Sequence, residues 1–308
     1  MVNINNLIDL QLEIFVLMII GYILRRFNII SAQARGGLNN LVIYVVLPAN
    51  IIYSFMGNAS TQLISGGLLI FIVSIIVQLL CQVFGKYFFN FKSIDHDQSN
   101  VLKYGTICSN AGFMGSPLIQ GLYGLNGLMY ASIYLIPMRV VMWSGGVACF
   151  LGEKGKNVVK RVMVHPCIIA VEIGIIIMLF KIRIPGFVAI QIEALSNCTM
   201  ALSMIVIGGI LAEIDIRKVF NKLTLYFSFI RLILIPLLVM AGCLIFRLPS
   251  LVSAVSVVLA GMPAGATTAI LAEKYHGDSA LAVAIIFVST LFSLISVPVL
   301  CIILNNFL

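Results

Sequence analysis

The stretch C-S-N-A-G-F-M-G-S-P-L-I-Q-G-L-Y-G, from Cys108 to Gly124, decides how the rest of this chain is read. It lies in an apolar run long enough to cross a bilayer, yet it carries Ser109, Asn110, Ser116, Pro117 and Gln120, with glycines at 112, 115, 121 and 124. Proline lacks a backbone donor and clashes with the turn before it, so a helix is expected to break near Pro117. A break in lipid strands polar backbone groups, and it persists only where protein or a watery cavity satisfies them. Ser116 followed by Pro117 reads as an N-cap and first helical residue, opening a second half-helix whose free N–H groups suit an anion. A similar stretch, A-G-M-P-A-G-A-T-T-A, spans Ala260 to Ala269, with its break expected at Pro263. Two interrupted segments in corresponding places of two halves point to the binding site of a transporter.

Composition sets the setting. Of 308 residues, 61% are hydrophobic and 10% charged, whereas soluble domains carry roughly 25% charged residues. The chain reads as an all-α membrane protein. A span needs about 20 apolar residues, and ten candidates follow one another at 7–24, 36–56, 64–89, 101–124, 125–150, 164–181, 195–214, 223–246, 249–273 and 278–304. The N-terminus lacks a basic n-region, so the first span is expected to be retained. Seven scattered cysteines without a C-x-x-C and three distant histidines give neither a disulfide framework nor a metal site, and no cofactor is expected. The net charge of +8 sits in short loops, which speaks for membrane orientation rather than nucleic acid. Alternate loops hold 14 and 3 basic residues, a bias that places both termini outside the cytoplasm of a cell in whose plasma or inner membrane the chain sits.

Five spans followed by five put the second half upside down relative to the first. The reading is two inverted repeats, residues 1–151 and 164–308, joined by a cytoplasmic linker at 152–163, with spans 4 and 9 as broken crossover helices. Gly112, Gly115, Gly261 and Gly265 are expected to let the helices approach around Pro117 and Pro263.

The motifs resemble the auxin efflux carrier family, which includes the plant PIN proteins and bacterial permeases. The resemblance rests on N-A-G-F-M-G-S-P-L-I-Q-G-L-Y-G with Asn110 seven residues before Pro117, on P-A-G at 263–265 followed by A-E-K-Y-H-G-D at 272–278, and on L-N-N-L-V-I-Y-V-V-L-P-A-N-I-I at 38–52. It covers nearly the whole chain. Without the long central loop of many plant members, the chain is similar to the short, bacterial-type branch. The resemblance implies that spans 1, 2, 6 and 7 form a scaffold, which often serves as a homodimer surface, and that spans 3–5 and 8–10 form the moving part. It also implies that Asn110 lies in the substrate site and hydrogen-bonds a carboxylate.

The residues themselves leave several roles open. Asn110 either contacts substrate or caps unwound backbone. Arg139 lies on the order of 20 Å into the fifth span, too deep to reach the interface comfortably. Such a charge usually faces a cavity and serves function; a guanidinium there would bind a carboxylate through two parallel bonds, or else be satisfied by carbonyls of the broken helices. Arg231 reads as a helix contact, with Glu172 at similar depth as a possible ion-pair partner. Asn50 and Tyr53 follow Pro48 and either line the site or pack.

There is no Asp or Glu between Tyr104 and Gly152 or between Ile216 and Ala272, so a sodium- or proton-holding carboxylate is missing from both crossover windows. No H-E-x-x-H, paired intramembrane aspartate or P-loop is present, which leaves no parts for an enzyme or an ATP-driven pump. The reading is a secondary transporter of a small organic anion, a dicarboxylate or an auxin-like acid, with Asn110, Arg139, Asn50, Tyr53 and Ser116 as substrate-binding candidates. The competing readings are a channel-like uniporter, a cation-coupled symporter of the related bile-acid-symporter-like fold, and a membrane sensor. The last lacks a loop long enough for a signalling domain.

Overall fold

The computed structural model describes residues 4–56, 61–90, 94–142, 164–212, 219–275 and 277–307. The linker expected at 152–163 lies outside the described residues. Among the described residues the chain is helical, with one isolated bridge and no strand. In chain order the helices are α1 Ile4–Arg26, α2 Ala32–Leu41, α3 Leu47–Phe55, α4 Thr61–Tyr87, α5 His96–Ile107, α6 Ser116–Val141, α7 Pro166–Leu179, α8 Gly186–Leu211, α9 Lys222–Phe229, α10 Ile235–Ile245, α11 Ser250–Ala260, α12 Thr267–Lys274 and α13 Ser279–Phe307. Among the described residues five stretches are long and apolar enough to cross a membrane: Gln33–Phe55, Ser65–Tyr87, Gly186–Leu211, Lys222–Ile245 and Ser279–Phe307. The helices α7 and α11 are shorter apolar ones. This is a multi-pass membrane protein.

Among the described residues three helical stretches share one device. π-Helical turns at Val42–Val46, Ala111–Gly115 and Ile230–Leu234 run directly into α3, α6 and α10. In each case the second residue after the turn is a proline: Pro48, Pro117 or Pro236. The residue before it donates five positions back, Leu47 to Val42, Ser116 to Ala111 and Ile235 to Ile230. A proline inside an α-helix meets the carbonyl four residues earlier. Widening the turn by one residue moves that carbonyl aside, and the missing N–H costs no bond.

This corrects the expectation for Pro117. The helix does not break there, and Ser116 is no N-cap but sits in helical backbone at φ −62°, ψ −47°. The break falls earlier, at Cys108–Asn110, between α5 and the π turn. In the second half the chain leaves helical geometry between Ala260 and Thr267, around Pro263 as expected. Gly124, at φ +63°, bends α6 sharply. Tight closures follow α7 and α10. There Lys181 (φ 50°) and Arg247 (φ 49°) take the left-handed conformation, and Ile182 and Leu248 donate back to Ile177 and Cys243.

The helices pack as two bodies. The first body joins α1 to α8, and α3 to both α7 and α8. The second joins α4 to α5 and α6, α11 to α4, α6 and α10, and α13 to α5, α9 and α12. The bodies meet where α3 lies on α6, where α8 lies on the Ala111–Gly115 turn, and where α1 lies on α13. Small residues set the α1–α8 contact. A Cβ added at Gly208 would strike the Met18 carbonyl oxygen, and one at Gly21 would strike that of Ile205. Lipid offers no hydrophobic drive between helices, so backbone proximity of this kind does the joining. Gly208→Val is expected to force the two backbones apart. Overpacking costs about 1–3 kcal/mol even where side chains yield, and here the obstacle is backbone. The expected result is a large loss of monodisperse protein on size exclusion and a lower melting temperature for what remains.

Candidate functional site

The two breaks cross and pair. Asn110 N donates to Pro263 O at 2.7 Å and Gly265 N to Cys108 O at 3.0 Å, around an antiparallel bridge between Ser109 and Ala264. Two further backbone groups are met by side chains from neighbouring helices. Gln78 of α4 donates to Ile107 O at 3.3 Å, and Ala264 N donates to Ser289 Oγ of α13 at 3.1 Å. Each break thus completes the other, as unwound backbone at membrane depth requires. Gly265 permits the crossing, since a Cβ there would lie 3.0 Å from Cys108 O and 3.1 Å from Ser109 O.

A cavity of about 70 Å³ lies against this crossing, at the junction of the two bodies. Ile43 and Leu47 wall it from the α2–α3 stretch. Ser109, Asn110, Gly112 and Phe113 come from the first break and the π turn, and Gly265, Ala266 and Thr267 from the second break and the start of α12. Met138, Arg139 and Met142 come from the end of α6, and His165 and Cys167 from the start of α7. Tyr104 OH donates to Thr267 Oγ1 at 3.3 Å, and Ser109 Oγ lies 3.5 Å from Met138 Sδ.

The cavity is electrostatically one-sided. Arg139 is only 6% exposed and Asn110 2%. Among the described residues neither Arg139 Nη1 nor Asn110 Oδ1 has a hydrogen-bond partner. No Asp or Glu stands among the lining residues. The first amides of a helix have no acceptor within it, and both the π turn at Ala111 and α12 at Thr267 begin on this cavity. A buried cation and an unmet acceptor therefore converge on one small space, beside the starts of the π turn and of α12. Such a space suits a negatively charged group facing Arg139 on a ligand that also carries an O–H or N–H to donate to Asn110 Oδ1.

Comparisons with known proteins place the chain among membrane transporters. A profile of the family described as membrane transport protein matches residues 7–161 and 153–301. The chain belongs to this family, that of the auxin efflux carriers. It is 28% identical over 295 residues to an uncharacterized transporter of Methanothermobacter thermautotrophicus, covering 95% of this chain and 97% of that one. An uncharacterized transporter of Methanocaldococcus jannaschii is 28% identical over 298 residues, covering 93% and 95%. The Escherichia coli uncharacterized transporter YfdV is 22% identical over 301 residues, covering 93% and 94%. Family and relatives are transporters, not enzymes.

Within this family member the expected site residues divide. Asn110 and Arg139 share the cavity. Asn50, Tyr53 and Ser116 are not in its wall. The Asn50 amide donates to Gln120 Oε1 at 3.0 Å and to Ser196 Oγ at 2.9 Å, and Tyr53 OH donates to Glu193 at 2.7 Å. Ser116 Oγ turns back to Ala111 O at 3.4 Å. Polar residues that follow a mid-span proline can serve either purpose, and only their neighbours decide.

The crossover glycines divide too. A Cβ added at Gly115 would lie 2.6 Å from Leu259 Cδ2 and one at Gly261 2.9 Å from Leu300 Cδ2, close approaches of the kind expected. A Cβ added at Gly112 would meet nothing within 4 Å, and Gly112 lines the cavity instead. Arg231 is buried, with Nη1 3.7 Å from Cys81 Sγ, while Glu172 is exposed on α7 and makes no ion pair with it. His165, Cys167, Ser289 and Gln78 were not singled out in the sequence. Hydroxyls and amides are common in spans, and nothing in the chain marks which of them meet unwound backbone.

Proposed function

We propose that this transporter moves a small organic anion, a carboxylate, across the plasma membrane by alternating access. The observation that carries the reading is the unpartnered guanidinium nitrogen of Arg139 facing a cavity without a carboxylate among its described walls. A buried charge of this kind is expensive in a membrane and usually marks a substrate path. A carboxylate would accept from Arg139, from the helix-start amides and from the neutral donors nearby, with Asn110 orienting it. A cavity of about 70 Å³ has room for roughly five waters at 10–15 Å³ each, which favours short carboxylates over aromatic acids in this conformation.

The frame for this reading is ten membrane crossings in two inverted five-helix repeats. The antiparallel pairing of the two breaks supports it, as does the alternation of basic loops, which favours termini outside the cytoplasm. The body of α1–α3, α7 and α8 would be the scaffold. The body of α4–α6 and α9–α13 would move, carrying the cavity's arginine and both breaks.

The test is a thermal-shift screen of purified protein against short mono- and dicarboxylates. A ligand present at 100 times its Kd adds about 2.7 kcal/mol to the folded state, so the right anion should raise the melting temperature by several degrees. Exchange of that anion, labelled, in liposomes should saturate and should proceed without sodium. A cation that stabilises where no carboxylate does, or a steep sodium requirement, would overturn the reading.

A further inference from the structure

One helix face carries both the cavity wall and the contacts that close it. Ile43, Leu47, Asn50 and Ser54 follow at spacings of four, three and four, so they stack along one side of the α2–α3 stretch. Ile43 and Leu47 face the cavity. One turn on, Asn50 holds Gln120 at 3.0 Å. One turn further, Ser54 Oγ lies 3.4 Å from Ser132 Oγ. Gln120 and Ser132 belong to α6, in the body opposite α3. The polar contacts across the seam thus begin where the cavity ends, on the side away from His165 and the start of α7.

The Asn50 amide is also braced from its own side. Ser196 of α8 accepts from it at 2.9 Å, and one turn away Tyr53 and Glu193 form a second rung between α3 and α8 at 2.7 Å. Asn50 is 1% exposed and Ser196 2%. A side chain fixed this firmly within one body, and offering a donor to the other, can register the position of the second body along the first.

The opposite body carries two candidates for that donor. Ser116 precedes Gln120 by four residues and so lies on the same face of α6, one turn nearer the cavity. Its hydroxyl is buried and makes a long bond of 3.4 Å to Ala111 O. A slide of the 116–123 segment, the part of α6 before the Gly124 bend, by about 6 Å along α3, four residues at 1.5 Å each, would bring Ser116 to the place Gln120 occupies. Packed helices change register in such single-turn steps. A slide that took Gln120 away with nothing in its place would strand one of the two buried N–H groups of the Asn50 amide, whereas an exchange keeps both bonded in both positions.

Resting on the transport reading above, we infer that Asn50 and Gln120 form the gate that shuts the cavity at the end away from His165, and that it opens by exchanging Gln120 for Ser116 as the partner of Asn50. Two cysteine pairs in a cysteine-free version of the full chain test this, Asn50→Cys with Gln120→Cys and Asn50→Cys with Ser116→Cys, oxidised after reconstitution in liposomes. Both pairs should cross-link. The first disulfide should cut labelled-anion exchange at least tenfold, with recovery on reduction. Failure of the second pair to cross-link where the first does, or full exchange with the first disulfide intact, would overturn the gate. Cross-linking is read on a gel and needs no substrate, so it can succeed or fail whatever the transported anion proves to be. Where a double variant folds poorly, the labelling of Gln120→Cys alone by an impermeant thiol reagent serves instead. Ser116→Val, which removes the second partner, should slow that labelling several-fold; an unchanged rate would sink the exchange.

Discussion

Arg139→Gln weakens anion binding by about three- to thirty-fold and leaves the melting temperature of the ligand-free protein unchanged or higher. The first half follows from hydrogen-bond strength. A bond to a charged group contributes roughly 1.5–3 kcal/mol against about 1 for a neutral one, and each 1.4 kcal/mol or so is a factor of ten in affinity. The second half follows from the geometry of the empty site. Removing one partner of a buried ion pair usually destabilises by about 3–5 kcal/mol, because the other charge is left unpaired. Arg139 has no acid beside it among the described residues, and its Nη1 has no partner. Its removal relieves an unmet desolvation cost rather than creating one. Arg139→Lys should also weaken binding, since a point charge cannot reproduce the planar fork. Calorimetric titration of monodisperse protein, beside its melting curve, separates the outcomes. Unaltered affinity with a lower melting temperature would make Arg139 a structural residue and leave the anion to Asn110 and the helix-start amides.

Pro117→Ala should give folded protein that no longer transports. Alanine restores an N–H that can bond to Phe113 O and removes the ring that keeps the turn wide. The five-residue π turn Ala111–Gly115 can then tighten to α geometry, which turns everything before it by about 100° relative to α6. Asn110 would swing its amide away from Pro263 O and its side chain out of the cavity, undoing the 2.7 Å bond that joins the breaks. The packing of α3 on α7 and of α9 on α13 does not involve the turn and should hold the fold. Pro236→Ala is the control, because its π turn carries Arg231 and no residue of the cavity wall. Exchange in liposomes at least tenfold below wild type for Pro117→Ala, and near wild type for Pro236→Ala, is the expected pair of results. Wild-type exchange by Pro117→Ala would show that the proline does not set the crossing.

Much of this was legible in the chain itself. Spans of apolar residues, two stretches rich in glycine and proline, and an arginine deep in the fifth span each announce themselves through local cost. A charge or an irregular backbone in lipid has to be accounted for wherever it stands. That is why Asn110, Arg139 and Pro263 were recognisable as residues of a crossing with a cavity beside it, and why the chain read as a membrane transporter. Local cost also misled in one place. A proline in an apolar run signals a break, but a π turn absorbs Pro117 as it absorbs Pro48 and Pro236.

The position of the break was decided by tertiary structure. Asn110 N and Cys108 O can leave the helix because Pro263 O and Gly265 N, some 150 residues away, receive them. The same holds for the polar residues that the sequence grouped into one site. Asn50 could have lined the cavity, but Gln120 and Ser196 stand closer and take its donors. Hydrophobicity and backbone chemistry are properties of each residue and its near neighbours, so the sequence alone determined membrane crossing, broken helices and a buried cation. Hydrogen-bond partners are set by distances between distant segments, so only the folded chain decided which polar groups face the cavity and which bond across the helices beside it.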